Sequence, residues 1–215
     1  MKITVLTIFP EYFDSLLNMP LVKRAVERKL LELHIVDIKD FAEGSFRHIA
    51  DSPFGGGVGM ILKCQPVFDA LYSVKKENSH LLYLTPIGKP YTQKKARELL
   101  KEEELIILCG HYEGVDCRIE EAFEDKISIG DYILSGGEIP AMAIVDSLVR
   151  MLGTIRKEST INESFEEGLL EHPQYTKPRS YNGQDVPEVL LSGHQENIRK
   201  WKLKESLRRT LNYRT

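Results

Sequence analysis

Cysteine is scarce in this 215-residue sequence: Cys64, Cys109 and Cys117 make an odd number and form no C-x-x-C pair. That pattern excludes a disulfide framework and a cysteine-rich zinc site, and it predicts a cytoplasmic protein. The six histidines show no H-E-x-x-H or comparable ligand spacing, so no protein-held metal is expected. Long hydrophobic runs are missing as well, which argues against a membrane protein. The apolar start from Met1 to Pro10 is too short for a signal peptide, has no small-residue cleavage site after it, and reads as a first strand. Two nucleotide-binding fingerprints are also absent. No Lys-Ser/Thr follows the glycine-rich segment Pro53–Met60, and Leu62 occupies the last glycine position of G-x-G-x-x-G.

What remains is ordinary globular material, 42% hydrophobic and 28% charged, long enough for one large domain and a small one. A formal charge of -3 gives no global sign of nucleic-acid binding, yet the chain from Arg199 onward carries seven basic residues against one acidic, Glu205. The first two-thirds alternates strand-like and helix-like segments, as in an α/β domain. Residues 2–8 read as a buried strand. Phe13, Leu16, Leu17, Leu21, Val22, Val26 and Leu30 recur at helical spacing, with Pro20 interrupting. Strands are predicted at Leu33–Ile38, Leu81–Leu84, Leu105–Leu108 and Ile127–Ile129. A helix capped by Thr92 runs to Glu104, and an apolar one covers Glu138–Leu152. Residues 154–171 turn polar and glutamate-rich, which predicts a flexible linker. A basic helix, Gln195–Leu211, follows, with Ile198, Trp201, Leu203 and Leu207 as candidate apolar positions.

Chemistry concentrates in loops. Cys109–Gly114 (CGHYEG) and Ile129–Pro140 (IGDYILSGGEIP) each follow a short apolar run, and Tyr83–Gly88 (YLTPIG) leaves a third. Glycine lets backbone approach a bound object closely, and loops leaving neighbouring strands of an α/β sheet form a crevice at the strands' carboxyl ends. Cys109 reads as a buried packing residue rather than a nucleophile, because no histidine partner is evident. The segment Pro53–Met60 is either a surface loop or a contact for nucleic acid beside Arg47, His48 and Asp51.

Those three loops, together with TIFPEYF at the start, FRHIADSPFGGGVGM and the late SGHQENIRKWKLK, resemble the bacterial tRNA (guanine-N1)-methyltransferases of the SPOUT superfamily from residue 1 to about 211. The resemblance implies an α/β fold: a parallel sheet with a deep trefoil knot over residues 1–157, a linker over 158–172 and a small helical tRNA-binding domain over 173–215. It implies that S-adenosylmethionine is held by Tyr83, Leu84, Thr85 and Pro86, by Gly110, Tyr112, Glu113 and Gly114, and by Ile129, Gly130, Tyr132, Leu134, Gly136, Gly137 and Pro140. It further implies a homodimer with a shared active site, and methyl transfer to N1 of guanine 37, just 3′ of the anticodon. Asp51, Gly55, Gly57, Gly59, Ser192, His194, Arg199, Lys200 and Arg208 fall at nucleic-acid contacts. Arg150 falls at the catalytic arginine, and a magnesium requirement accompanies the reaction, with no dedicated carboxylate cage visible here. The family's general base is an aspartate before a Ser-Phe pair; Glu163 stands there, one methylene longer. A knotted methyltransferase for another RNA position, and an RNA-binding module that has lost catalysis, are the alternatives.

If the basic residues Arg199, Lys200, Lys202, Arg208 and Arg209 neutralise phosphates, tRNA affinity falls as salt rises. A filter-binding titration from roughly 50 to 200 mM salt, over which such contacts lose much of their affinity, checks this. A flat response removes the helix from tRNA binding.

Overall fold

The computed structural model describes residues 1–45, 47–154, 164–165 and 168–214. Two compact units divide the chain, Met1–Ile155 and Arg156–Thr215.

In the first unit, β1 (Lys2–Thr7), β2 (Glu32–Asp37), β5 (Ser79–Pro90), β6 (Glu104–Cys109) and β7 (Asp125–Ser128) form one sheet in the order β2-β1-β6-β5-β7. All of its pairings are parallel. Parallel strands need crossovers, and the helices that supply them cover both faces. Every residue of the central β6 is buried, as the apolar run Leu105–Cys109 after its first residue Glu104 requires. Alternation then sorts side chains between two cores. Leu105 and Ile107 join Ile3, Val5 and Leu82 under α2 (Pro20–Glu27), α4 (Gln93–Leu99) and α6 (Glu138–Val149). Ile106 and Leu108 join Leu6, Leu81 and Tyr83 under α3 (Cys64–Val74) and α5 (Cys117–Glu120). A two-stranded antiparallel hairpin, β3 (Ala50–Asp51) and β4 (Ile61–Leu62), carries the glycine-rich loop between its strands.

The helical segment around Pro20 is broken as expected. A 3-10 turn at Pro10–Phe13 leads into α1 (Asp14–Asn18), and Met19 is extended before Pro20 opens α2. Thr92 caps α4, its Oγ1 accepting from Lys95 N at 3.2 Å. That helix stops at Leu99 rather than Glu104, because Glu104 begins the central strand. The largest departure is β5. It continues through Pro86 to Pro90 with a register shift, so that Leu84 and Lys89 both oppose Ile127 of β7. The expected strand-exit loop is thus a bulge inside a strand, which accommodates a proline without a ladder hydrogen bond. Gly88 makes the bulge possible: a methyl group there would overlap the backbone of Lys126 and Ile127.

Among its described residues the second unit contains a hairpin, β8 (Ser180–Tyr181) with β9 (Gln184–Asp185), and two helices, α7 (Glu188–Leu191) and α8 (Gln195–Tyr213). Ile198 and Trp201 are half-buried as expected, with Trp201 beside His172 and Tyr175. Leu203 and Leu207 correct the expectation: they are exposed. The inward face of α8 carries Ile198, Trp201, Glu205, Ser206, Arg209 and Thr210, whose three- to four-residue spacing excludes positions 203 and 207. Among the described residues no helix is long and apolar enough to cross a membrane.

An ionic cluster ties the amino ends of β5 and β7. Asp125 Oδ2 lies 2.6 Å from His80 Nε2 and 2.6 Å from Lys95 Nζ. Burial alone would raise the Asp125 carboxyl, but the bonds from Lys95 and His80 outweigh it and hold it below the ordinary carboxylate value. A carboxyl depressed by folding stabilises fully above its unfolded pKa, about 3.9, and loses that contribution as pH falls through the folded value. Asp125→Asn should therefore cost about 0.5–1 kcal/mol near neutral pH, the screened worth of a partly exposed pair. In urea melts at stepped pH, the gap from wild type should close below about pH 4. A second melt tests the bulge: Gly88→Ala should cost about 1–3 kcal/mol, the usual penalty of overpacking against fixed backbone.

Candidate active site

The loops after β6 and β7 and the bulge of β5 meet at the carboxyl end of the sheet, around a cleft of 420 Å³. From β5 come Tyr83, Leu84, Thr85 and Pro86. The loop after β6 supplies Gly110, Tyr112, Glu113 and Gly114. Ile129, Gly130, Tyr132, Leu134, Gly136 and Gly137 follow β7, and Pro140 stands in the first turn of α6. Every residue singled out from the sequence for a small ligand lines this one cleft. Five others of note were not singled out: Ile87, His111, Glu120, Ile133 and Ser135. His111 sits inside the CGHYEG loop, so its place was readable from its neighbours. Glu120 arrives on α5, which no motif marked.

Close backbone packing shapes the walls. Gly137 N donates to Gly110 O at 2.8 Å, and a methyl group at Gly137 would press on the Cys109 backbone. The two glycine loops can lie this close only because position 137 has no side chain. His111 and Gly136 form a β-bridge beside that contact. The hairpin loop joins the same structure: Glu113 N donates to Met60 O at 3.0 Å, and Leu62 N to Gly114 O at 3.0 Å.

The cleft's electrostatics are acidic and aromatic. Glu113 and Glu120 line it with Tyr83, Tyr112 and Tyr132, and no lysine or arginine is among the described lining residues. Burial, reinforced by the Glu120 charge, pushes the Tyr83 phenol up to about 12 although Thr85 hydrogen-bonds to it. Tyr83 therefore stays protonated near neutral pH and serves as a hydrogen-bonding wall, not a base. Full burial raises the Cys109 thiol well above its ordinary value, and the nearby Glu138 raises it further. A thiol so held is no nucleophile.

Other sequence-derived positions lie elsewhere. Asp51 is exposed in β3, and Gly55, Gly57 and Gly59 stand in the loop between β3 and β4, all with positive φ. Arg150 follows α6, partly exposed, and is not among the residues that line the cleft. Glu163 lies outside the described residues. In the second unit, Ser192 and His194 join α7 to α8, and Arg199, Lys200 and Arg208 are exposed on α8. Lys200 pairs with Glu196 at 2.8 Å. Among the described residues, no group of three His, Cys, Asp or Glu side chains is placed to hold a metal ion.

Comparison with known proteins identifies the family of the chain. Residues 1–215 match the family described as tRNA (Guanine-1)-methyltransferase TrmD. A tRNA (guanine-N(1)-)-methyltransferase from Syntrophomonas wolfei is 50% identical over 213 residues, covering 98% of this chain and 87% of that protein. One from Desulforamulus reducens is 47% identical over 221 residues, covering 100% and 87%. Another, from Ruminiclostridium cellulolyticum, is 48% identical over 216 residues, covering 98% and 93%. With the match running the whole length of the sequence, the chain belongs to the tRNA (Guanine-1)-methyltransferase TrmD family.

Proposed function

We propose that this protein transfers a methyl group from S-adenosylmethionine to N1 of guanine 37, 3′ of the anticodon in tRNA, giving 1-methylguanosine. Membership of the family supports the reaction, and the three-loop cleft carries the reading of the site. S-adenosylmethionine, when bound, supplies an electrophilic methyl carbon on a sulfonium cation. Two carboxylates and three tyrosines without a lysine or arginine among the described lining suit a cationic ligand. A cleft of 420 Å³ also falls in the range of small-molecule sites. The donor-binding residues are those named above from Tyr83 to Pro140, and we assign the β5 bulge and the two glycine loops to the trefoil knot of the SPOUT fold.

The acceptor needs different chemistry. Guanine N1 carries a proton and becomes nucleophilic only when that proton leaves, so the reaction calls for a base and for a positive group at O6. We assign the base to Glu163 and the O6 contact to Arg150. Glutamate keeps a carboxylate with an ordinary pKa near that of aspartate, about 4.3 against 3.9, on a longer stem. No lysine or arginine stands among the described lining residues to meet O6, and Arg150 is not one of them, which supports a homodimer whose second copy completes the site. The exposed Ile133, Tyr132 and Ile139 beside the cleft supply apolar surface for such a contact. Magnesium enters as a requirement of the reaction only, with no step assigned to it.

The glycine loop of the β3–β4 hairpin and the basic face of α8 are the tRNA contacts in this reading. N1 sits on the pairing edge of guanine, so the base leaves its stack to reach the methyl donor. The protein is assigned to the cytoplasm, with tRNA as its macromolecular substrate.

Labelled S-adenosylmethionine and two tRNA transcripts test the assignment. Label should enter the transcript with guanine 37 and not the one with adenine there. Label in both points to another RNA position, and label in neither to a binding module. With the first transcript, Glu163→Gln should lower turnover at least about 100-fold, the lower bound for losing a general base, while S-adenosylmethionine still binds. Near-normal turnover by the variant takes the base role away from Glu163.

A further inference from the structure

The proposed reaction leaves one buried pair beside the cleft unused. Glu138, the first residue of α6, is 2% exposed. Its Oε1 accepts from Thr7 Oγ1 at 2.8 Å, and its Oε2 lies 3.6 Å from His111 Nδ1. A carboxylate taken out of water needs donors and an opposite charge around it. The α6 N-terminus helps, as does Thr7, but among the described residues the side chain paired with Glu138 is His111. His111 Nδ1 is buried and makes no hydrogen bond elsewhere. Phe9 and Tyr112 hold the ring edge-on, with centroids at 4.7 and 5.1 Å. Since the two nitrogens occupy different edges of an imidazole, Nδ1 turned toward Glu138 leaves Nε2 directed away from it.

His111 also lines the cleft, and it is the one described lining side chain able to carry positive charge. S-adenosylmethionine carries two cationic groups, the sulfonium and the α-ammonium, and one anionic group, the α-carboxylate. Glu113, Glu120 and the tyrosines suit the cations. Only His111 suits the anion. Resting on the assignment of S-adenosylmethionine to this cleft, we infer that His111 receives the donor's α-carboxylate through Nε2–H, and that Glu138 is a positioning residue that fixes the ring and keeps a proton on Nδ1. The arrangement puts the His111 ring between the buried Glu138 side chain and the ligand carboxylate.

Calorimetric titration with S-adenosylmethionine and with decarboxylated S-adenosylmethionine tests this in wild type, His111→Gln and Glu138→Gln. The dissociation constant for decarboxylated S-adenosylmethionine divided by that for S-adenosylmethionine should fall by about tenfold from wild type to His111→Gln, the worth of one charge-assisted hydrogen bond. Glu138→Gln should lower the same ratio in the same direction. An unchanged ratio in His111→Gln overturns the inference while the donor assignment stands, whereas no binding of S-adenosylmethionine to wild type overturns the donor assignment itself. A measurement on the wild-type protein guards against variants that do not fold. The ¹⁵N signals of the His111 ring should respond differently to the two ligands, and identical spectra with both overturn the inference.

Discussion

The whole first unit hangs on β6. Hydrogen-bonded to β1 on one side and β5 on the other, with all six side chains buried, it leaves no position free for water or for a charged side chain in its interior. Glu104 tolerates burial at its start because Lys2 Nζ lies 2.7 Å away and Ser79 Oγ donates at 2.8 Å. That constraint decides where chemistry can happen. A strand buried on both faces and both edges can present function only where it ends, and Cys109 hands the chain to Gly110 at the floor of the cleft. The β5 bulge begins at Leu84, level with Cys109 of β6 and Ile127 of β7, so the bulge and the two loops converge there.

Charge is divided along the same axis. At the amino ends of the strands, Lys2 with Glu104 and Lys95 with His80 and Asp125 form complete ion pairs. At the carboxyl ends the described lining is acidic and aromatic, with no lysine or arginine to neutralise it. A fold can keep uncompensated charge only where it need not be buried dry, and an open cleft is such a place. Stability and recognition therefore occupy opposite ends of one sheet.

Much of this was legible because local rules and global packing agree. The run Leu105–Leu108 is too apolar for anything but an interior strand, Pro20 breaks the helical periodicity where Met19 turns extended, and Thr92 caps the helix it precedes. The loops that line the cleft were marked by glycine beside polar residues. Legibility ended where sequence distance is large. Thr7 and Glu138 share a hydrogen bond across 131 positions, and nothing local in either segment announces the other. The β5 bulge escaped for a different reason: proline normally ends a strand, and only the pairing of both Leu84 and Lys89 with Ile127 shows that this strand resumes. On α8, apolar residues at positions 203 and 207 suggested a core, but the buried stripe runs through Ile198 and Trp201 on another face.

The β3–β4 hairpin loop is anchored at its base. Met60 and Leu62 bond to Glu113 and Gly114, while Phe54 and Val58 at the tip are fully exposed. Change at the tip is therefore nearly free of folding consequences, since it removes no buried contact and even doubling the loop would add only about 0.6 kcal/mol of closure entropy. The base is frozen and the tip is not. Across evolutionary time the tip of this hairpin can vary in size and shape while the wall of the cleft, a few residues away, stays as it is.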